Sequence, residues 1–153
     1  MQFPSRHIRV NVPEQILELR EGEDVLQTFA ISTAARGIGS EPESMMTPSG
    51  EFEVAEKIGA GAPPGMIFKS RIPTGEIGTP GHSEDLVQTR ILWLHGLEPD
   101  NANTRERYIY IHGTNHETEL GTPASHGCIR MGNADVVALF DAVEEGTRVF
   151  IQP

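Results

Sequence analysis

The sequence predicts a mainly β fold with a single α-helix near the C-terminus. Three observations carry this reading. Apolar and polar residues alternate in several short runs. The 153 residues include 16 glycines and 11 prolines, which punctuate a chain into strands and turns. Only one segment shows helical spacing of its apolar residues.

The elements follow in order. Ile8, Val10 and Val12 alternate with Arg9 and Asn11, the period of a half-buried strand, and Pro13 closes it. Residues 15–20 carry Ile16, Leu17 and Leu19. Glu21-Gly22-Glu23-Asp24 then turns the chain into a third strand over residues 25–33, completing a hairpin. Residues 34–50 lose periodicity and read as a long surface loop. Alternation resumes over residues 51–58 through Phe52 and Val54. Residues 59–65 break it, and residues 73–85 read as another polar loop. Residues 87–95 and 107–111 read as buried strands rich in β-favouring side chains. Trp93, among Ile91, Leu92 and Leu94, is assigned to core packing. The helix takes Asn133 as its N-cap and Asp135 in its first turn. Val136, Val137, Phe140 and Val143 form its apolar face, and Gly146 ends it. Residues 147–151 form the last strand. With no internal repeat and no second core, residues 1–153 read as one domain.

Composition narrows the function classes. Hydrophobic residues at 37% and charged residues at 22% give an ordinary globular balance. A net charge of −10 argues against binding a phosphate backbone, so no nucleic-acid partner is expected. No apolar run is long enough to span a bilayer, so no transmembrane segment is expected. One cysteine excludes an internal disulfide. Residues 1–7 have no apolar core of the signal-peptide kind. The expected location is therefore cytoplasmic if the sequence is complete, and periplasmic or cell-envelope if a leader was removed.

The chemistry concentrates in two segments. Tyr110-Ile111-His112-Gly113-Thr114 ends a strand, and Ser125-His126-Gly127-Cys128-Ile129-Arg130-Met131 precedes the helix. The intervening loop lets His112 and Cys128 meet. A cysteine attacks as its thiolate, and an adjacent imidazole can take the proton to give a thiolate–imidazolium pair. Gly127 permits close approach of backbone to ligand, and the N–H groups of Gly127 and Cys128 are expected to face an oxyanion. His112 needs a hydrogen bond on its second ring nitrogen, which the backbone near Gly113 or Thr114 can supply. The plainer reading of a lone cysteine is an inert buried hydrophobe, and this context outweighs it.

His112, His116, His126 and Cys128 also raise a zinc site. The His112–His116 spacing suits a helix, which Gly113 and Asn115 disfavour, so no metal or other cofactor is expected. His116 reads as a solvated loop residue. For Arg130, carboxylate recognition and structural pairing, with Asp135 or another acid, weigh equally.

The two segments together resemble the catalytic signature of the YkuD-type L,D-transpeptidase family, and Thr47-Pro48-Ser49-Gly50-Glu51-Phe52 resembles a further segment of it. The resemblance implies a β-sandwich-like catalytic domain with the site at one end of the sheets. It implies transfer of an acyl group from a peptidoglycan stem peptide through a cysteine thioester, with D-alanine leaving and an amine resolving the thioester. Water in place of the amine would make the chain a carboxypeptidase, and a third alternative keeps the fold as a non-catalytic peptidoglycan-binding module. Carried over by motif position, Cys128 is the nucleophile and His112 the general base. Gly113, Ser125, His126 and Gly127 shape the pocket, and Arg130 reads a substrate carboxylate. Stem peptides are the expected partners, and carbapenems the expected inhibitors.

Overall fold

Alternation in the sequence becomes a sheet whose inward rows are almost wholly dry. The computed structural model describes residues 6–80 and 82–153. Among these the strands are β1 (Arg6–Asn11), β2 (Ile16–Glu21), β3 (Asp24–Ser32), β4 (Gly50–Ile58), β5 (Met66–Lys69), β6 (Ile72–Ile77), β7 (Val87–Gly96), β8 (Tyr110–Gly113), β9 (Ile129–Met131) and β10 (Arg148–Gln152), with one α-helix, α1 (Asn133–Ala142). The strand order is β4-β10-β1-β2-β3-β9-β8-β7-β5-β6, and β4 also pairs with β7. The hydrogen-bond ladder therefore closes on itself through β4 and β7, and the β5–β6 hairpin extends from β7. Closure pairs the β4 edge, leaving β6 as the terminal edge strand.

Period-two burial explains the register. Ile8 and Val10 of β1, Leu17 and Leu19 of β2, Phe52 and Val54 of β4, and Val149 and Ile151 of β10 are buried in one cluster with Ile111, Ile129 and Met131. Shifting any of these strands by one residue would turn its apolar row outward, so register is strongly specified. α1 adds Val136, Leu139 and Phe140 to the same cluster.

Several expectations are corrected. Residues 73–77, read as loop, belong to β6 (Ile72–Ile77). All six of its residues are exposed, so no apolar alternation could reveal it. The strand expected over residues 107–111 begins only at Tyr110, because Tyr108 takes a left-handed backbone with φ of 57°. The helix N-cap is Gly132 rather than Asn133. The Asn133 side chain instead accepts from Thr89 Oγ1 (2.6 Å) and donates to the Thr114 carbonyl (3.1 Å), tying the helix start to β7 and β8. The helix stops at Ala142, four residues before Gly146, with Val143 extended. Leu139 rather than Val137 completes its buried face.

Residues 1–5, on which the leader reading chiefly rests, lie outside the described residues. No described helix is long and apolar enough to cross a membrane.

Candidate active site

Two short strands set the site. β8 and β9 run parallel, pairing Ile111 with Ile129 and His112 with Arg130. Side chains alternate across a strand, so Ile111 and Ile129 enter the core while Tyr110, His112 and Arg130 share the other face. Cys128 immediately precedes β9 in the same alternation and stands beside Tyr110. The Tyr110 N–H donates to Cys128 Sγ at 3.3 Å, and the thiol donates to the Tyr108 carbonyl at 3.4 Å. The left-handed backbone of Tyr108 turns that carbonyl toward the thiol. An aromatic residue in this conformation is uncommon, and such strain concentrates where geometry matters to function.

Burial acts against charge on both Cys128 and His112. Burial pushes the Cys128 thiol up to about 11, outweighing the Tyr110 N–H that favours the thiolate. Burial also pushes the His112 imidazole below its ordinary value, against the raising effect of the Gly113 carbonyl. No hydrogen bond joins Cys128 and His112 among the described residues, and desolvation disfavours the charged form of each. His112 is 3% exposed, and its Nδ1 donates to the Gly113 carbonyl at 2.6 Å. That bond fixes the proton on Nδ1 and leaves Nε2 as the acceptor.

Gly113 is required by space. A Cβ there would sit 2.7 Å from the Gln88 carbonyl and 3.1 Å from Thr89 Cβ, and would collide with Asn133 Oδ1. The β7 strand cannot retreat cheaply, because Thr89 sits at an irregular register with φ of 75° and is held by Asn133. Gly113→Ala is expected to cost about 1–3 kcal/mol by overpacking. It should also misplace the carbonyl that orients His112. A fall in the thermal midpoint together with slower Cys128 acylation checks this.

The turn before Cys128 is held by two side chains, Ser125 and Thr47. Ser125 Oγ donates to the Cys128 carbonyl at 2.6 Å and accepts from the Gly127 N–H at 3.3 Å. Thr47 Oγ1 donates to the Gly127 carbonyl and accepts from the Ala34 N–H, both at 2.9 Å. Gly127 takes φ of +130°, which L side chains rarely adopt. Of the two amides expected to face an oxyanion, Gly127 is therefore engaged by Ser125. The Cys128 N–H donates to no protein group among the described residues.

Arg130 is placed differently from the substrate-reading expectation. Its side chain is 2% exposed. Nη2 meets Asp85 Oδ2 at 2.9 Å and Nη1 meets Glu119 Oε1 at 2.8 Å, while Asp135 is not its partner. Both ends of the guanidinium fork are committed to protein carboxylates. The histidines also diverge. His126 Nδ1 donates to Asp85 Oδ2 at 3.0 Å. His116 is half-buried, pairing with Glu119 at 3.3 Å and reaching the His82 carbonyl at 3.1 Å. Burial alone would raise the Asp85 carboxyl, but hydrogen bonds from Arg130 and His126 hold it below its ordinary value.

Cys128 opens onto a cavity of about 490 Å³, whose walls include Met45, Arg107, Tyr108 and His126. Arg107 pins the loop of residues 34–49 against this wall by donating to the Met46 carbonyl (2.7 Å), the Gly39 carbonyl and Ser44 Oγ (both 3.3 Å). Trp93, expected in the core, is partly buried against a second, smaller apolar cluster of Phe68, Ile91 and Tyr110. There it stacks with Tyr108 at 6.0 Å and lies under Arg71 and Arg105. Asp85, Arg107 and Tyr108 were not singled out from sequence. Their partners are far along the chain, and only the fold brings them together.

The chain matches the YkuD family, described as the L,D-transpeptidase catalytic domain, over residues 5–151. YqjB of Bacillus subtilis, described provisionally as an L,D-transpeptidase, is 37% identical over 106 residues, covering 69% of this chain and 52% of that protein. YkuD of Bacillus subtilis, described in the same provisional way, is 29% identical over 145 residues, covering 95% of this chain and 65% of that protein. The chain thus spans between about half and two thirds of these relatives. L,D-transpeptidase 3 from Mycobacterium tuberculosis, in complex with a faropenem-derived adduct, shares the fold with a TM-score of 0.61 at 19% identity, covering 98% of this chain and 61% of that one. With the family match covering residues 5–151, the chain belongs to the YkuD family of L,D-transpeptidase catalytic domains.

Proposed function

We propose that the chain is a cysteine-dependent L,D-transpeptidase that acts on peptidoglycan stem peptides at the cell envelope. One observation carries the reading: Cys128 lies at a cavity wall on the same face of the β8–β9 pair as His112, whose tautomer is set by the Gly113 carbonyl. That tautomer presents Nε2 as a base.

The chemistry runs in two halves. The Cys128 thiol swings from the Tyr108 carbonyl and gives its proton to His112 as Sγ attacks the stem-peptide carbonyl. The Cys128 N–H is the free backbone donor for the oxyanion. The C–N bond breaks, D-alanine leaves with the proton that His112 held, and a thioester remains. An amine of a second stem peptide then attacks the thioester, the C–S bond breaks and the thiol is restored. Water as the second nucleophile gives carboxypeptidase activity at the same residues. The structure of the L,D-transpeptidase LdtMt1 in complex with imipenem, a carbapenem, supports carbapenems as probes of this chain.

Intact-mass measurement with a carbapenem tests the nucleophile. One adduct is expected on the native chain and none on Cys128→Ala. With a tetrapeptide donor and an amine acceptor, D-alanine release by Cys128→Ala should fall to the uncatalysed background. An undiminished rate in that variant would remove Cys128 from the reaction.

A further inference from the structure

The proposed reaction asks for two proton transfers from nucleophiles, and the site holds two differently placed imidazoles. The first nucleophile is the thiol, which starts inside the protein. The second is an amine, which arrives from solvent after D-alanine has gone. His112 is 3% exposed and is shielded from solvent. His126 stands two residues from Cys128, has a side chain 66% exposed, and lines the same cavity.

His126 is not a freely turning surface residue. Its Nδ1 donates to Asp85 Oδ2 at 3.0 Å. Asp85 is fixed in turn by Arg130, whose guanidinium is 2% exposed and reaches the same oxygen at 2.9 Å. A carboxylate in that position demands hydrogen on the nitrogen facing it, so Nδ1 carries a proton and, in the neutral tautomer, Nε2 presents its lone pair. The arrangement is an orienting acid, an imidazole and an open face toward the cavity. Arg130 does not compete for substrate here, since its second nitrogen is taken by Glu119 at 2.8 Å.

We propose that His126, oriented by Asp85, is the general base for the acceptor amine in the second half of the reaction, while His112 serves the thiol in the first. The proposal rests on the thioester reading given above. As the amine nitrogen bonds to the thioester carbonyl, one of its protons passes to His126 Nε2. The C–S bond breaks, Sγ leaves with the electron pair, and the proton on His126 returns to Sγ. The cycle ends with a neutral thiol and a neutral imidazole and needs no further reactant. His126 is then a catalytic residue and Asp85 a positioning residue.

Single-turnover kinetics separate the halves. D-alanine release from a tetrapeptide donor reads acylation, and formation of the cross-linked product at fixed amine reads aminolysis. For His126→Gln the ratio of aminolysis to acylation is expected to fall about 100-fold, the scale of general-base catalysis. Asp85→Asn should lower the same ratio by a smaller factor, whereas a merely structural role would slow both halves alike. His126→Ala should regain at least about tenfold of its aminolysis with added imidazole, relative to the native chain given the same imidazole. Equal loss in both halves, or no rescue by imidazole, overturns the proposal. Failure of the thioester reading looks different: no acyl adduct forms on the native chain and Cys128→Ala turns over as the native chain does.

Discussion

Arg130→Ala is expected to destabilise the fold by about 3 kcal/mol, at the low end of the cost of breaking a buried ion pair. The guanidinium is 2% exposed and lies between Asp85 and Glu119. Its removal leaves two carboxylates converging on an empty site, one of them largely shielded. Glu119 is 43% exposed and remains partly solvated, which limits the loss. Arg130→Lys should recover only part of it, since an ammonium cannot span both acids as the planar fork does. The pH dependence carries a second signature. Asp85 titrates below its ordinary value in the fold, so it contributes stability that is present above the unfolded value of 3.8 and lost as the pH falls through the folded one. Without Arg130 that contribution shrinks, and the acid limb of a denaturation series should flatten. Denaturant midpoints between pH 2 and 7 check both effects. An unchanged midpoint with a raised KM for stem peptide would instead make Arg130 a substrate-binding residue.

The sequence reported best what repeats locally. In β1, β2 and β10 one face meets the core and the other meets solvent, so burial leaves a period of two in the residues themselves. β6 leaves no such trace because neither face is buried. Tyr108 sits inside an apolar run that reads as strand, yet one left-handed residue ends the strand without disturbing the pattern. Trp93 has apolar neighbours in sequence, but it packs against a small second cluster and is also covered by Arg71 and Arg105, partners the sequence does not show. Asn133 has the chemistry of a cap and spends it instead on Thr89 and Thr114, partners supplied by other strands.

The site divides along the same line. Cys128, Gly127 and Ser125 form a contiguous turn whose hydrogen bonds are local, so a short motif announces them. His112 is reached through one loop. Thr47, Asp85 and Arg107 act through contacts with Gly127, His126 and Met46, separations of 80, 41 and 61 residues, which are set by sheet register rather than by neighbouring residues. Even Arg130, legible as a functional arginine, has partners that only the fold reveals.

His112→Gln is expected to slow acylation of Cys128 at pH 7 by about 10²–10⁴-fold, the range for loss of a positioned general base. The size follows from the thiol. With its pKa pushed up to about 11, roughly one thiol in 10⁴ is ionised at pH 7. A preformed thiolate therefore contributes little, and the native rate depends on removing the proton during attack. His112 suits that task because burial keeps it neutral below the usual histidine range, and the Gly113 carbonyl leaves Nε2 free to accept. The thiol donates to the Tyr108 carbonyl and must swing toward the imidazole, a tightening of the kind that substrate binding produces. The pH profile gives the sharper test. In the native chain the rate of carbapenem adduct formation should be level around neutrality, where His112 is already neutral. In His112→Gln only the thiolate reacts, so the rate should climb about tenfold per pH unit until the pH approaches 11. A level profile in the variant would show that another group deprotonates Cys128. A parallel loss of thermal midpoint would assign the effect to packing, because His112 is buried beside the strand pair that carries the nucleophile.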